Sequence, residues 1–217
     1  MEQIWFPWER TAEILQMALK EKTVSIGEDR KSFFVQDDEG NLERRFTVPW
    51  VQRIQDEKTA DEYLKNLPYD LGDHLVLLIQ AGAASMGIFK NGEIFSHKAI
   101  TKYMVRKKQG KAQSTYSKQT AKLRAGSRIR LRNTVEFFVE INEKLLEWKK
   151  EIEGCRRLWY SCPVRLWTEL FIANPPPPIE RDDGRWTKIP LSVRTPNFNE
   201  LKHIFYRLTH GDRKSVV

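Results

Sequence analysis

The sequence is poor in cysteine, in long apolar runs and, over one interval, in acid. Two Cys in 217 residues exclude a disulfide framework and a Cys₄ zinc site. No apolar run approaches the roughly 20 residues of a membrane helix. No basic stretch followed by an apolar one opens the chain, so a secretory signal is not expected. There is no internal repeat, no glycine-rich phosphate loop and no nucleophile–His–acid spacing. Between Glu93 and Glu136 there is no Asp or Glu at all.

What is present points to a folded chain. Hydrophobic residues make up 40%, with seven Trp and eleven Phe, which is too aromatic for disorder. The length fits one domain or at most two small ones. The expectation is a soluble, cytoplasmic monomer without a membrane partner, cofactor or metal. The formal net charge is +8. The acid-free interval, Ile94 to Val135, holds twelve cations: Lys98, Lys102, Arg106, Lys107, Lys108, Lys111, Lys118, Lys122, Arg124, Arg128, Arg130 and Arg132. Removing those twelve from 37 leaves 25 basic against 29 acidic residues, a net of −4. An acidic body with one basic arm is the footprint of a polyanion binder. A merely solvated face interleaves both signs.

The apolar pattern places the arm. Ile14, Leu15, Ala18 and Leu19 make one face of a helix over Thr11–Lys20, with Trp5, Phe6 and Trp8 anchoring its entry. Ser32–Val35 and Arg45–Val48 flank Asp37–Asn41 as a hairpin, and Asp61–Leu67 reads as a short helix. His74–Ile79 is a continuous apolar run, which suits a strand buried on both faces. Asn91-Gly92 sits between two more strands as a hairpin turn, and Ile100–Val105 extends that sheet. Lys107–Ala125 lacks apolar periodicity and reads as a long polar loop. Ser127 is placed to cap a helix running to about Glu153, with Val135, Phe138, Val139, Leu145, Leu146 and Ile152 on its inner stripe. A strand over Leu158–Ser161, a helix over Pro163–Phe171, a proline-rich connector and a last helix after Thr195-Pro196 complete the chain. The fold class expected is α/β, a mixed β-sheet flanked by helices with a long basic loop before a long helix.

Candidate chemistry centres on Arg106-Lys107-Lys108-Gln109-Gly110-Lys111-Ala112-Gln113-Ser114. Gly110 and Ala112 keep the backbone slim around Gln113. A Gln amide offers donors and an acceptor but is no general base near neutral pH; it can orient a water or a hydroxyl. Flanking cations would hold a phosphate backbone while the slim tip enters a narrow site. Cys155 and Cys162 read as core thiols, His74 and His97 as structural histidines, and Asp182-Asp183-Gly184 as a turn. Trp159, Trp167 and Trp186 read as core residues, with an exposed aromatic available to stack on a base.

The run Lys102–Gln113 resembles the Gly-x-Ala-Gln loop of the Vms-type release-factor-like (VLRF) domain, found in ankyrin-repeat and zinc-finger peptidyl-tRNA hydrolases. The resemblance continues in Met86–Phe89, Ser96-His97-Lys98, Ala125-Gly126 and Trp186–Leu201, and covers roughly Leu71 to Thr209. It implies the fold of the catalytic middle domain of eukaryotic class-I release factors. Those carry Gly-Gly-Gln at the loop tip; here Lys111-Ala112 replace the glycines, as in other Vms-type domains. The zinc finger, ankyrin repeats and ATPase-binding segment of eukaryotic members are not seen, so a stand-alone version is expected, bacterial members included.

The resemblance implies cleavage of peptidyl-tRNA on stalled large ribosomal subunits, with Gln113 at the critical position and rRNA and peptidyl-tRNA as partners. Arg106, Lys107, Lys108, Gly110, Lys111, Ala112, Ser114, Lys118, Lys122, Arg124 and Arg128 are the expected RNA contacts. Two chemistries fit: ester hydrolysis by a positioned water, and attack of a ribose 2′-hydroxyl near the tRNA 3′ end. A non-catalytic RNA-binding accessory factor is the alternative from another class. The expected organisation is an N-terminal extension over 1–70, the release-factor-like domain over 71–210 and a tail over 211–217.

Overall fold

Residues 3–102 and 120–215 are described by the computed structural model, with side chains over 3–102 and 132–215. Among them, ten strands form two five-stranded sheets flanked by helices, a mixed α/β fold. The chain divides into two units, Met1–Leu71 with His203–Val217, and Gly72–Lys202.

The first unit is built on an antiparallel sheet. Its strands are β1 (Gln3–Pro7), β2 (Thr23–Ile26), β3 (Ser32–Gln36), β4 (Leu42–Thr47) and β10 (His210–Ser215), in the order β1-β10-β4-β3-β2. The expected hairpin is β3–β4. Asp37 Oδ1 accepts the N–H groups of Glu39 and Asn41 at 3.0 and 2.8 Å, which satisfies the loop backbone. Helix α1 (Thr11–Glu21) buries Leu15 and Ala18 against Phe33, Val35 and Phe46. Helix α2 (Ala60–Asn66) starts on Thr59, whose hydroxyl accepts the Glu62 N–H at 3.1 Å. Glu62 in turn accepts the Lys58 N–H at 2.8 Å. Two segments differ from expectation. Trp5 and Phe6 lie in strand β1 rather than at a helix entry, with Phe6 buried. Most of the segment read as a tail is β10, hydrogen-bonded on both sides to β1 and β4. Ladder pairing decides this, for His210–Ser215 has almost no apolar residue to signal a strand. Gly211 is required there. A Cβ at that position would meet Thr47 O at 2.4 Å and the Phe6 ring at 2.6 Å.

The second unit holds the mixed sheet. Its strands are β5 (His74–Gln80), β6 (Ala83–Lys90), β7 (Glu93–Thr101), β8 (Arg157–Ser161) and β9 (Trp186–Lys188), in the order β7-β6-β5-β8-β9. Central β5 runs antiparallel to β6 and parallel to β8, and Leu75–Ile79 are buried on both faces, as the apolar run predicts. Asn91 and Gly92 take positive φ of 47° and 95°, the I′ geometry that matches strand twist. One face of the sheet packs on α3 (Thr120–Glu147), through Phe137, Phe138, Ile141 and Leu145 against Leu75, Leu77, Met86, Ile88 and Ile100.

Helix α3 departs from the sequence reading in three ways. It begins at Thr120, so Gly126 and Ser127 are interior and Ser127 is no cap. Thr120–Ala125 is therefore helix, not loop. Ala121, Leu123, Arg124 and Ala125 are strong helix formers, and propensity carries the first turns without an apolar stripe. The expected single helix also breaks at Trp148, with α4 (Lys149–Gly154) following. Finally, the buried stripe is shifted. Val135 and Leu146 are 57% and 39% exposed, and Phe137, Ile141 and Trp148 take the core positions. Buried Asn142 sits in that stripe. Its amide donates to Leu170 O in α5 (Val164–Ile172) and to Pro175 O, each at 2.8 Å.

The remaining connections are polar. The Asp182–Gly184 segment is a turn in which Asp183 grips the Arg185 guanidinium at 2.8 Å. Arg185 Nη1 then donates to Ile152 O, Glu153 O and Cys155 O, closing the C-terminal end of α4. The hydrogen bond from Arg185 holds the Asp183 carboxyl below the usual carboxylate range. The last helix, α6 (Phe198–Thr209), carries the expected buried residues Leu201, Ile204, Phe205 and Leu208.

Candidate functional site

The basic loop springs from an edge. Strand β7 is the outer strand of the mixed sheet, and the chain returns to the sheet through α3. Between them, residues 103–119 lie outside the described residues. Gln113 lies there, with Arg106, Lys107, Lys108, Gly110, Lys111, Ala112, Ser114 and Lys118. Lys122, Arg124 and Arg128 fall within the first turns of α3, Arg124 and Arg128 one i,i+4 step apart.

Both stems of the loop are fixed. On the strand side, Ile100 is buried in the core and the Lys102 N–H donates to Gly82 O at 2.9 Å. On the helix side, Phe137, Phe138 and Ile141 are immersed in the same core. Charged pairs join the two stems directly. Lys98 reaches Glu140 at 3.2 Å, and Lys102 reaches Glu140 at 3.4 Å and Glu136 at 3.9 Å. Arg132 reaches Glu136 at 2.6 Å, one helical turn back. Each group is partly solvated, so each pair adds little to stability. Together they link β7 to α3 beside the core contacts of Ile100 with Phe137, Phe138 and Ile141.

These contacts correct the reading of the charge. Lys98, Lys102 and Arg132 belong to the acid-free interval, yet they pair with Glu136 and Glu140, which offset two of their three charges. Those two acids are the residues that sequence reasoning missed. They are the first acidic residues after the interval, and their i,i+4 spacing places them on one helix face.

The other candidates resolve as structure. Cys155 is buried and Cys162 half-buried, and burial pushes both thiols up to about 12. Neither is a thiolate near neutral pH. Trp159 donates to His74 Nδ1 at 3.3 Å in the core. His97 stacks on Phe198, ring centroids 4.0 Å apart. Trp159 and Trp167 are buried, and Trp186 packs edge-on against Tyr160 and Trp167. Among the described residues, no group of three His, Cys, Asp or Glu could hold a metal, and no helix is long and apolar enough to cross a membrane. The segment Thr195–Leu201 also has a local role. Asn197 Oδ1 accepts the Glu200 N–H at 2.9 Å, capping α6, and Glu200 accepts the Arg194 N–H at 2.8 Å.

Residues 74–214 match the family described as bVLRF1, Bacteroidetes VLRF1 release factor. The chain belongs to the bVLRF1 family. The matched span contains both stems, the whole basic loop and Gln113. Among curated proteins, the chain is 32% identical over 147 residues to a protein of Bos taurus named tRNA endonuclease ANKZF1, covering 64% of this chain and 20% of that protein. It is 26% identical over 180 residues to tRNA endonuclease vms-1 of Caenorhabditis elegans, covering 82% of this chain and 28% of that protein. The bVLRF1 chain thus spans between a fifth and just over a quarter of the length of these relatives. A solved structure titled Vms1 mitochondrial localization core shares the fold, with a TM-score of 0.53 at 10% identity over 94% of this chain and 83% of that one.

Proposed function

We propose that this protein cleaves peptidyl-tRNA on stalled large ribosomal subunits, with Gln113 presented by the basic loop. The observation that carries this reading is the loop's setting: an acid-free, cation-rich segment rooted at both ends in a packed sheet and helix. Membership of a release-factor family and relatives named tRNA endonuclease support it. The loop cations neutralise phosphates and fix register, and the Gln113 amide orients the attacking hydroxyl.

The name of the relatives favours tRNA cleavage over ester hydrolysis. In that reaction a ribose 2′-oxygen near the tRNA 3′ end bonds to the adjacent phosphorus, and the P–O5′ bond breaks. A 2′,3′-cyclic phosphate remains on the tRNA. The terminal nucleotides leave with the peptide and a 5′-hydroxyl, so no activated water is needed. The domain's part is positioning and stabilisation of charge on the phosphoryl oxygens.

The test uses large subunits carrying labelled peptidyl-tRNA, with wild-type protein and Gln113→Ala. Truncation removes the amide but no charge. Subunit binding should persist while cleavage falls about 100-fold or more, equivalent to about 2.7 kcal/mol of transition-state stabilisation. Shortened tRNA bearing a cyclic phosphate is the expected product; full-length tRNA would mean ester hydrolysis instead. Undiminished cleavage by Gln113→Ala would remove Gln113 from the chemistry. Binding without cleavage by the wild type would leave an RNA-binding accessory factor.

A further inference from the structure

The first unit holds a cavity of about 340 Å³, lined wholly by residues N-terminal to the family-matched span. It lies between α1 and the end of α2. Ala12, Leu64, Leu67 and Pro68 supply its apolar lining, and the 95% exposed Tyr69 stands at its rim. Several polar groups face it without a hydrogen bond or ion pair among the described residues. Gln52 is only 5% exposed, and its Oε1 is fixed by the Thr11 hydroxyl at 2.7 Å. Its backbone carbonyl accepts from Tyr63 Oη at 2.7 Å, which locks the residue in place. Yet the Gln52 amide nitrogen has no partner among the described residues. The same holds for the Trp8 indole N–H, the Gln16 amide and the Glu9 carboxylate. The Gln52 amide nitrogen opens onto the cavity, so it is available to donate to an occupant in place of water.

Those groups define an occupant. One fixed donor, the Gln52 amide, beside an apolar floor suits a main-chain carbonyl next to one apolar side chain. Glu9 is the one charged lining residue, and no Lys or Arg lines the cavity. The Trp8 and Tyr69 rings beside a free carboxylate favour a guanidinium or ammonium. The volume lies at the low end for ligand pockets, enough for one or two side chains. We propose that this cavity binds a short extended segment of a partner protein, with one apolar residue seated on Leu64 and Leu67 and a neighbouring Arg or Lys at Glu9. The Gln52 amide donates to a carbonyl of that segment. This surface is independent of the cleavage reading, and its success or failure leaves that reading untouched.

The experiment is isothermal titration of the full chain with the capped peptide acetyl-Gly-Arg-Leu-Arg-Gly-amide. Its cations do not favour the basic loop. Saturable binding with a dissociation constant below about 1 mM is expected. Exchanging the central Leu for Gly should weaken it at least fivefold. Glu9→Lys reverses the one charge on an exposed position, and Ala12→Arg obstructs the floor from the helix surface; each should weaken binding at least tenfold. A thermal melt of each variant confirms folding, and either variant alone suffices. No saturable binding up to 1 mM, equal binding of the Gly peptide, or affinity unchanged in a folded variant would each overturn the proposal.

Discussion

Asn142 shows how one residue holds a core together. It occupies a buried position on α3 where the apolar rhythm asks for Leu or Ile, and its amide closes two carbonyls from separate segments. Its own Oδ1 has no partner among the described residues, which offsets part of the gain. Asn142→Ala takes this donor from both carbonyls, that of Leu170 in a buried setting, and adds a cavity. The expected loss is about 2 kcal/mol, read as a lower urea midpoint with unchanged slope. The same scale separates chemistry from packing. Cys155, Cys162, His74 and Trp159 all carry reactive or ring groups, and all of them serve the core.

The acids of α3 and the lysines of β7 are a device at the scale of elements. Glu136 and Glu140 pair with Lys98 and Lys102 at the loop base and offset part of the charge there. Replacing both acids, Glu136→Gln with Glu140→Gln, removes two negative charges next to the segment proposed to bind RNA. Folding stability should fall by at most about 1 kcal/mol, because the pairs are partly solvated. RNA affinity should rise, and the slope of log affinity against log salt should steepen by about 0.7 for each lysine that reaches a phosphate. A filter-binding series in salt with a single-stranded RNA measures it. An unchanged slope would mean that the two lysines act only as structural ties. If cleavage also drops while affinity rises, the clamp is positioning the loop.

The whole molecule is an acidic body with its positive excess in one interval, and its binding should follow that distribution. Charge reversal at Lys107, Lys108 and Lys111 should weaken RNA binding at least tenfold near 100 mM salt, since a phosphate without a protein cation keeps its counterion and the entropy of release is forfeited. Reversal at Lys149, Lys150 and Arg165, exposed on α4 and α5, should cost less than about threefold. Net charge changes equally in both sets, so a difference isolates position from total charge. Similar losses would mean that RNA responds to overall charge and not to the loop.

The sequence by itself determined what depends on local pattern. The buried run His74–Ile79, the Asn91-Gly92 turn, the Asp37 loop and the spacing of Leu201, Ile204, Phe205 and Leu208 each name their own geometry, because neighbours in sequence decide them. The acid-free interval and the Gly-x-Ala-Gln run, both within the family-matched span, were legible for the same reason. Tertiary structure alone decided that Lys98 and Lys102 are paired. Lys98 and Lys102 lie some forty residues from the acids that pair with them, and no local rule connects the two. It also decided that polar His210–Ser215 is a strand, since both neighbours supply its hydrogen bonds from distant parts of the chain. On α3, the sheet chose Phe137 and Ile141 over Val135 and Leu146, because a helix rich in apolar residues offers more than one stripe and only packing selects between them.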